Sequence, residues 1–225
     1  MGRGSRTFTL WTDIGCPWSH AAVWRWRQER ARRNLQDEAH LDIRCFPLEL
    51  FNRRATPKRV LDAEIPVAGS LAPEAGWQVW QRQTYDYAVT TLLAMEAVQA
   101  AKVQGLEASE ELDFALRRAL FGESLNISLH HQIVEIAQTC DKVDGREVRR
   151  ALELGTARHT IFDDMAEAES SAIKGSPHFF LDDHDWHNPG VQMKWVGKAG
   201  KGFPVIEKDD PGIYGDMFDL WENES

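Results

Sequence analysis

Cysteine is scarce in this sequence: Cys16, Cys45 and Cys140 are the three thiols in 225 residues. An odd number of widely spaced cysteines argues against a disulfide framework and fits a reducing compartment. Positive charge is in deficit too. With 26 Lys+Arg against 35 Asp+Glu the net charge is −9, a balance that repels phosphate backbones and speaks against a nucleic-acid partner. Long apolar runs are missing. The longest candidate, Ala88 to Ala101, carries Thr90, Thr91, Glu96 and Gln99, too many polar groups for a bilayer span. The stretch after Arg3 and Arg6 is broken by Thr7, Thr9, Thr12 and Asp13, which is not the pattern of a signal peptide. The expectation is a soluble, cytoplasmic protein without a membrane partner. What is abundant is core material: 43% hydrophobic residues and nine tryptophans, enough to pack a domain without disulfides or metals.

The periodicities outline an α/β chain. Thr7 to Asp13 alternates as a strand. Trp18 to Arg33 follows Pro17 as an amphipathic helix with Ala22, Val23 and Trp26 inward. Leu41 to Leu50 returns to a β pattern, interrupted at Pro47. Residues 51 to 84 are broken by proline and glycine. Helical patterns then run from Tyr85 to Gln104, with Gly105 as C-cap. A second is capped by Ser109, a third spans Leu129 to Cys140, a fourth is capped by Asp144, and a fifth covers Thr156 to Glu169. Pro177 to Leu181 reads as a strand, Asp182 to Gly190 as a polar turn, and Val191 to Val196 as the returning strand of a hairpin. Asp210-Pro211 opens a last helix with Ile213, Met217, Leu220 and Trp221 as its apolar side.

Chemistry concentrates at Cys16. It stands where strand becomes helix, immediately before Pro17, so its side chain faces the unpaired N–H groups of the first turn. Those donors and the helix dipole favour a thiolate, and reactive cysteines so placed have pKa values of roughly 3.5 to 7.5. The thiolate is the nucleophilic form.

Cys16-Pro17-Trp18-Ser19 after a strand resembles the active-site turn of the DsbA-like, FrnE-type branch of thioredoxin-fold proteins. The resemblance implies a thioredoxin fold with an inserted α-helical subdomain: residues 1–56 and 173–225 would form the thioredoxin-fold domain and 57–172 the insert. Ile173 to Phe180 resembles the family's cis-proline loop, which makes Ser176–Pro177 the cis bond. Pro17, Trp18, Ser176 and Pro177 would hold substrate. Dithiol members carry Cys-Pro-X-Cys, whereas Ser19 occupies the second cysteine's place here. Serine can donate a hydrogen bond to a thiolate but cannot resolve a mixed disulfide. The implied activity is a monothiol thiol–disulfide oxidoreductase. Cys16 attacks a disulfide-containing protein or a small-molecule thiol adduct. No cofactor is held tightly, and glutathione or mycothiol serves as resolving thiol. Two rivals stay open: a thiol-cofactor-dependent transferase, isomerase or nitroreductase, and a binding module without catalysis.

Other residues are given plainer roles. Cys45 and Cys140 lie on apolar faces and read as inert core thiols. His20, Arg25, Arg27, Arg30, Arg32 and Arg33 read as a solvated helix surface. His130-His131 and the His184/His187 pair have no further ligands at a recognisable spacing, so no metal is expected. Trp18, Trp77 and Trp80 are candidates to line an apolar groove.

Overall fold

In the computed structural model, which describes residues 6–170, 172–198 and 202–223, the strand before Cys16 is the middle of a sheet. Strand β1 (Arg6–Thr12) pairs in parallel with β2 (Ala39–Cys45) and antiparallel with β3 (His178–Leu181). Strand β3 turns at Asp182 into β4 (His184–His187), which gives the order β2-β1-β3-β4. A central strand is buried on both faces. Phe8 meets Trp26 of α1 (Pro17–Arg32) at 5.6 Å and Phe218 of α9 (Ile213–Asn223) at 5.4 Å. Trp11 packs beyond the sheet with Phe46 and Ala168.

Between β2 and β3 the chain is helical: α2 (Leu48–Phe51), α3 (Lys58–Gly69), α4 (Leu92–Lys102), α5 (Leu106–Glu123), α6 (His130–Gln138), α7 (Gly145–Leu154) and α8 (Arg158–Ser170). This is a thioredoxin fold with a helical insertion. Side chains of the insertion close the open edge of β2. Glu110 accepts from the Leu41 N–H at 2.8 Å, Gln99 donates to the Ile43 carbonyl at 3.0 Å, and Asp164 accepts from the Cys45 N–H at 2.8 Å. Unpaired edge groups invite aggregation when left bare, so three distant helices satisfy what a fifth strand would otherwise take.

Several elements differ from their sequence outline. The helix forecast from Tyr85 starts only at Leu92. Ahead of it Thr90 donates to Glu49 and Thr91 to Asp13, and those tertiary bonds hold the segment out of helix. Gly105, with φ 133°, begins α5 instead of ending α4, and Ser109 lies inside the helix, donating back to the Leu106 carbonyl. The second strand stops at Cys45, just ahead of Pro47, whose place in the sequence argues for an end or an edge there, and Leu48–Leu50 belong to the helix that follows. The hairpin is also different. The partner of β3 is β4, hidden in the supposed polar turn, while β5 (Val191–Val196) pairs with β6 (Phe203–Asp209) in a separate ribbon. Asn188 and Gly190, both at positive φ, redirect the chain between the two ribbons. Asp144 does cap α7, accepting from the Arg146 and Glu147 N–H groups.

Candidate active site

The turn between β1 and α1 is held by buried polar groups before any thiol chemistry enters. Asp13 Oδ1 accepts from the Gly15 N–H at 2.7 Å and from Thr91 Oγ1 at 2.9 Å, and Oδ2 accepts from the Leu48 N–H at 2.9 Å. Burial pushes the Asp13 carboxyl pKa up, against these donors. A Cβ on Gly15 would come within 2.9 Å of Thr91 Cγ2, which is why glycine precedes the cysteine. From α5, the fully buried Arg117 donates to the Asp13 carbonyl at 3.0 Å and Thr12 Oγ1 at 2.9 Å while clasping Asp113 with two bonds.

Cys16 is the N-cap residue of α1, extended at φ −84° and ψ 113°, with Pro17 as the first helical residue. Its side chain is 3% exposed, and its thiol donates to the Ser176 carbonyl at 3.3 Å. The Ser176–Pro177 bond is cis. Ser19, also buried, has its hydroxyl 2.7 Å from that of Ser176, which in turn accepts from the Asp13 N–H at 2.9 Å. Thus Cys16, Ser19 and Ser176, separated by up to 160 residues in sequence, form one cluster. The sulfur closes no capping hydrogen bond, yet the hydroxyl and N–H of Ser19 lie near enough to pull its pKa down. Burial outweighs them and pushes the thiol up, with the Glu64 carboxyl adding to the rise. Position at a helix start pointed to a lowered pKa; in the folded chain the balance is instead toward the thiol, because burial of the sulfur disfavours its charged form more than the Ser19 donors favour it.

The sulfur opens on a cavity of about 330 Å³. Cys16, Trp18 and Ser176 line it together with Asn52, Arg54 and Glu64. Pro17 belongs to this lining as well, whereas Pro177 borders a smaller pocket behind Trp18. Ribbon residues Val191, Met193 and Ile206 pack on the cluster that contains Cys16 and Trp18. Trp77 and Trp80 are not groove residues. Trp77 donates to the Ala72 carbonyl, and Trp80 packs edge-on against Tyr87.

His20 and most of the arginines correct the picture of a solvated helix face, while Arg32 is exposed as expected. His20 is fully buried between Trp77, Phe114 and Phe121, and burial lowers its pKa to about 3. Arg25 reaches Asp209 and the Leu71 carbonyl, Arg30 pairs with Glu110, and Arg33 binds Glu29, Asp219 and Glu222. Arg27 lies over the Phe114 ring and Arg32 pairs with Glu29. Asp209, Glu110, Phe114, Asp219 and Glu222 come from other segments, invisible to local periodicity, whereas Glu29 is on α1 itself, three and four residues from Arg32 and Arg33. Cys45 is buried on β2, where burial raises its pKa strongly, and Cys140 is half-buried with its pKa pushed up to about 11. His184 stacks on Trp186 and His187 packs against His178.

Two contributors escaped the sequence reading. His178 Nδ1 accepts from the Lys174 N–H at 3.1 Å and Nε2 lies 2.7 Å from Asp185, which anchors the loop bearing Ser176 and Pro177. Glu64 carries a signal that was there to find: one acid within the buried stripe Val60, Leu61, Glu64, Ile65 and Ala68.

The family model of the DSBA-like thioredoxin domain matches residues 7–198. The chain belongs to that family. Three solved structures share this DsbA-like fold. A probable DsbA oxidoreductase from Streptomyces coelicolor is 22% identical, with TM-score 0.64 over 80% of this chain and 82% of that one. The cytosolic disulfide reductase DsbM from Pseudomonas aeruginosa is 13% identical, with TM-score 0.66 over 97% and 100%. A 2-hydroxychromene-2-carboxylate isomerase is 14% identical, with TM-score 0.59 over 80% and 87%. None of the curated proteins matches the chain. Among the described residues, no helix is long and apolar enough to cross a membrane.

Proposed function

We propose that this DsbA-like chain is a cytoplasmic monothiol thiol–disulfide oxidoreductase with Cys16 as its nucleophile. The observation that carries the reading is the Cys16–Ser176 contact beside Pro177, open to the cavity, with Ser19 in the place of a second thiol. Cys16 loses its proton and attacks one sulfur of a bound disulfide. A new S–S bond forms to Cys16, the old one breaks, and the departing sulfur leaves as a thiolate. The bond from the Asp13 N–H occupies one lone pair of Ser176 Oγ. Ser176 then donates to Ser19, and the Ser19 proton turns to the developing Cys16 thiolate. Pro17 and Trp18 flank the incoming chain. Neither Ser19 nor the distant Cys45 and Cys140 resolves the adduct, so glutathione or mycothiol does. The cytosolic disulfide reductase among the structural neighbours also has a structure with glutathione, in keeping with a small resolving thiol.

Incubation with glutathione disulfide should place one glutathionyl group on Cys16, seen by mass spectrometry and removed by added glutathione. Cys16→Ala should take none, and Cys45→Ala should behave as wild type. A folded protein that forms no such adduct overturns the proposal. A thiol-cofactor-dependent transferase, isomerase or nitroreductase is the second reading. The protonated resting state of Cys16 favours it, and it is recognised by consumption of a small electrophile with glutathione and no adduct on Cys16.

A further inference from the structure

Glu64 is the acid of the cavity that this mechanism leaves unused. It comes from α3, is 9% exposed, and lines the same space as Cys16, Trp18 and Ser176. The Trp18 side chain donates a hydrogen bond to it, and among the described residues no cation is one of the groups that act on its carboxyl. A buried carboxylate without a cation is costly, and burial raises the Glu64 pKa to about 7. Acid and carboxylate are therefore both populated near neutrality. The carboxyl is also near enough to Cys16 for its charge to raise the thiol's pKa.

We infer that Glu64 is the proton shuttle of the Cys16 reaction, taking the thiol proton across the cavity and returning it to the leaving sulfur. The inference rests on the oxidoreductase reading and assigns the proton that reading leaves unplaced. In the first half, Cys16–SH passes its proton to the Glu64 carboxylate and the sulfur attacks a disulfide R–S–S–R. The leaving thiolate takes that proton and departs as R–SH, while Cys16–S–S–R remains. In the second half, a low-molecular-weight thiol R′–SH gives its proton to Glu64 and attacks the R sulfur. The product R–S–S–R′ departs, and the Cys16 thiolate recovers the proton. The sum is R–S–S–R plus R′–SH to R–SH plus R–S–S–R′, with no other oxidant.

The neighbouring ionisable groups do not take over this role. From α1 comes Cys16 itself, and Tyr87 sees the charge of Glu64 but is buried with its own pKa raised. On α3, Lys58 and Asp62 pair with each other. On β6, Glu207 pairs with Lys194, Lys208 with Asp210, and Asp209 with Arg25. Arg54 also borders the cavity, as a fixed cation that exchanges no proton near neutrality.

The test uses Glu64→Gln in the full chain with Cys45→Ala and Cys140→Ala. Two readings are taken against pH: iodoacetamide alkylation of Cys16, and turnover of bis(2-hydroxyethyl) disulfide with glutathione. The shuttle predicts opposite signs. Removing the charge should speed alkylation, while losing acid–base help should slow turnover about a hundredfold. The inflection near 7 should also vanish from the alkylation profile. Unchanged turnover, or an inflection that persists, overturns the inference. Because loosening the fold would also expose the buried thiol and speed its alkylation, the variant must match the wild type in circular dichroism and urea melts. The lost inflection near 7 is the reading that a folding lesion does not imitate. Should Glu64→Gln not fold, Trp18→Phe removes the donor and must move the alkylation inflection upward; an unmoved inflection refutes it. If the wild type forms no adduct with the small disulfide, the oxidoreductase reading falls instead. The alkylation profile then still decides whether Glu64 governs the proton on Cys16.

Discussion

Replacing Arg117 with methionine removes a cation that is fully buried beneath the cysteine turn. Its two bonds to Asp113, at 2.7 and 3.0 Å, disappear, and Asp113 stays buried without a partner. Breaking a buried pair from one side costs about 3–5 kcal/mol. For a chain of this size each kcal/mol moves the midpoint by about 2–4 °C, so Tm should fall by about 6–20 °C. The decisive comparison is Asp113→Leu/Arg117→Met, which removes both charges. The remaining acceptors are not stranded, since the Asp13 carbonyl also receives the Cys16 N–H at 3.2 Å and Thr12 Oγ1 donates to that carbonyl at 3.4 Å. The double variant should lie within about 2 kcal/mol of wild type, because replacing a whole buried pair with apolar groups is often near neutral. Urea and thermal unfolding followed by circular dichroism measure both. A double variant as unstable as the single one, or a single variant losing under about 1 kcal/mol, refutes charge compensation as the reason for this pair.

His20 makes stability depend on pH. Its pKa in the folded chain is lowered to about 3 and lies near 6.5 when unfolded. Between those values only the unfolded chain binds the proton. Stability is therefore full above about 6.5 and declines below it, by about 2 kcal/mol at about pH 5. His20→Phe, which keeps the ring among Trp77, Phe114 and Phe121, should flatten this part of the profile. Equal pH slopes in urea melts of variant and wild type would falsify the assignment. Ser19→Ala removes a hydroxyl that lowers the Cys16 pKa. A hydrogen bond to a charged group contributes about 1.5–3 kcal/mol, so the alkylation pKa should rise by about 1–2 units. An unmoved profile means that Ser19 does not support the thiolate.

The junction at Cys16 was legible because its causes are local. An alternating strand, a proline suited to the first helical position and an N-cap cysteine all lie within a dozen residues. Asp144 as the cap of α7 is the same kind of signal. The ribbon was misread because His184 to His187 is short and mostly exposed, and its partner Phe179 faces it only through the turn at Asp182. The failed helix start at Tyr85 shows the opposite balance, where Glu49 and Asp13 outbid local propensity.

By itself, then, the sequence determined that a cysteine would begin a helix after a β-strand, and that a serine would stand one turn later. Those facts follow from chain stereochemistry over a few residues. The tertiary structure decided the state of that cysteine. Ser176 arrives from 160 residues away to contact the sulfur, Glu64 from α3 adds its charge, and Arg117 from α5 holds the turn beneath through the Asp13 carbonyl. Desolvation is a property of the assembled interior, so the proton on Cys16 and the burial of His20 could be read only there.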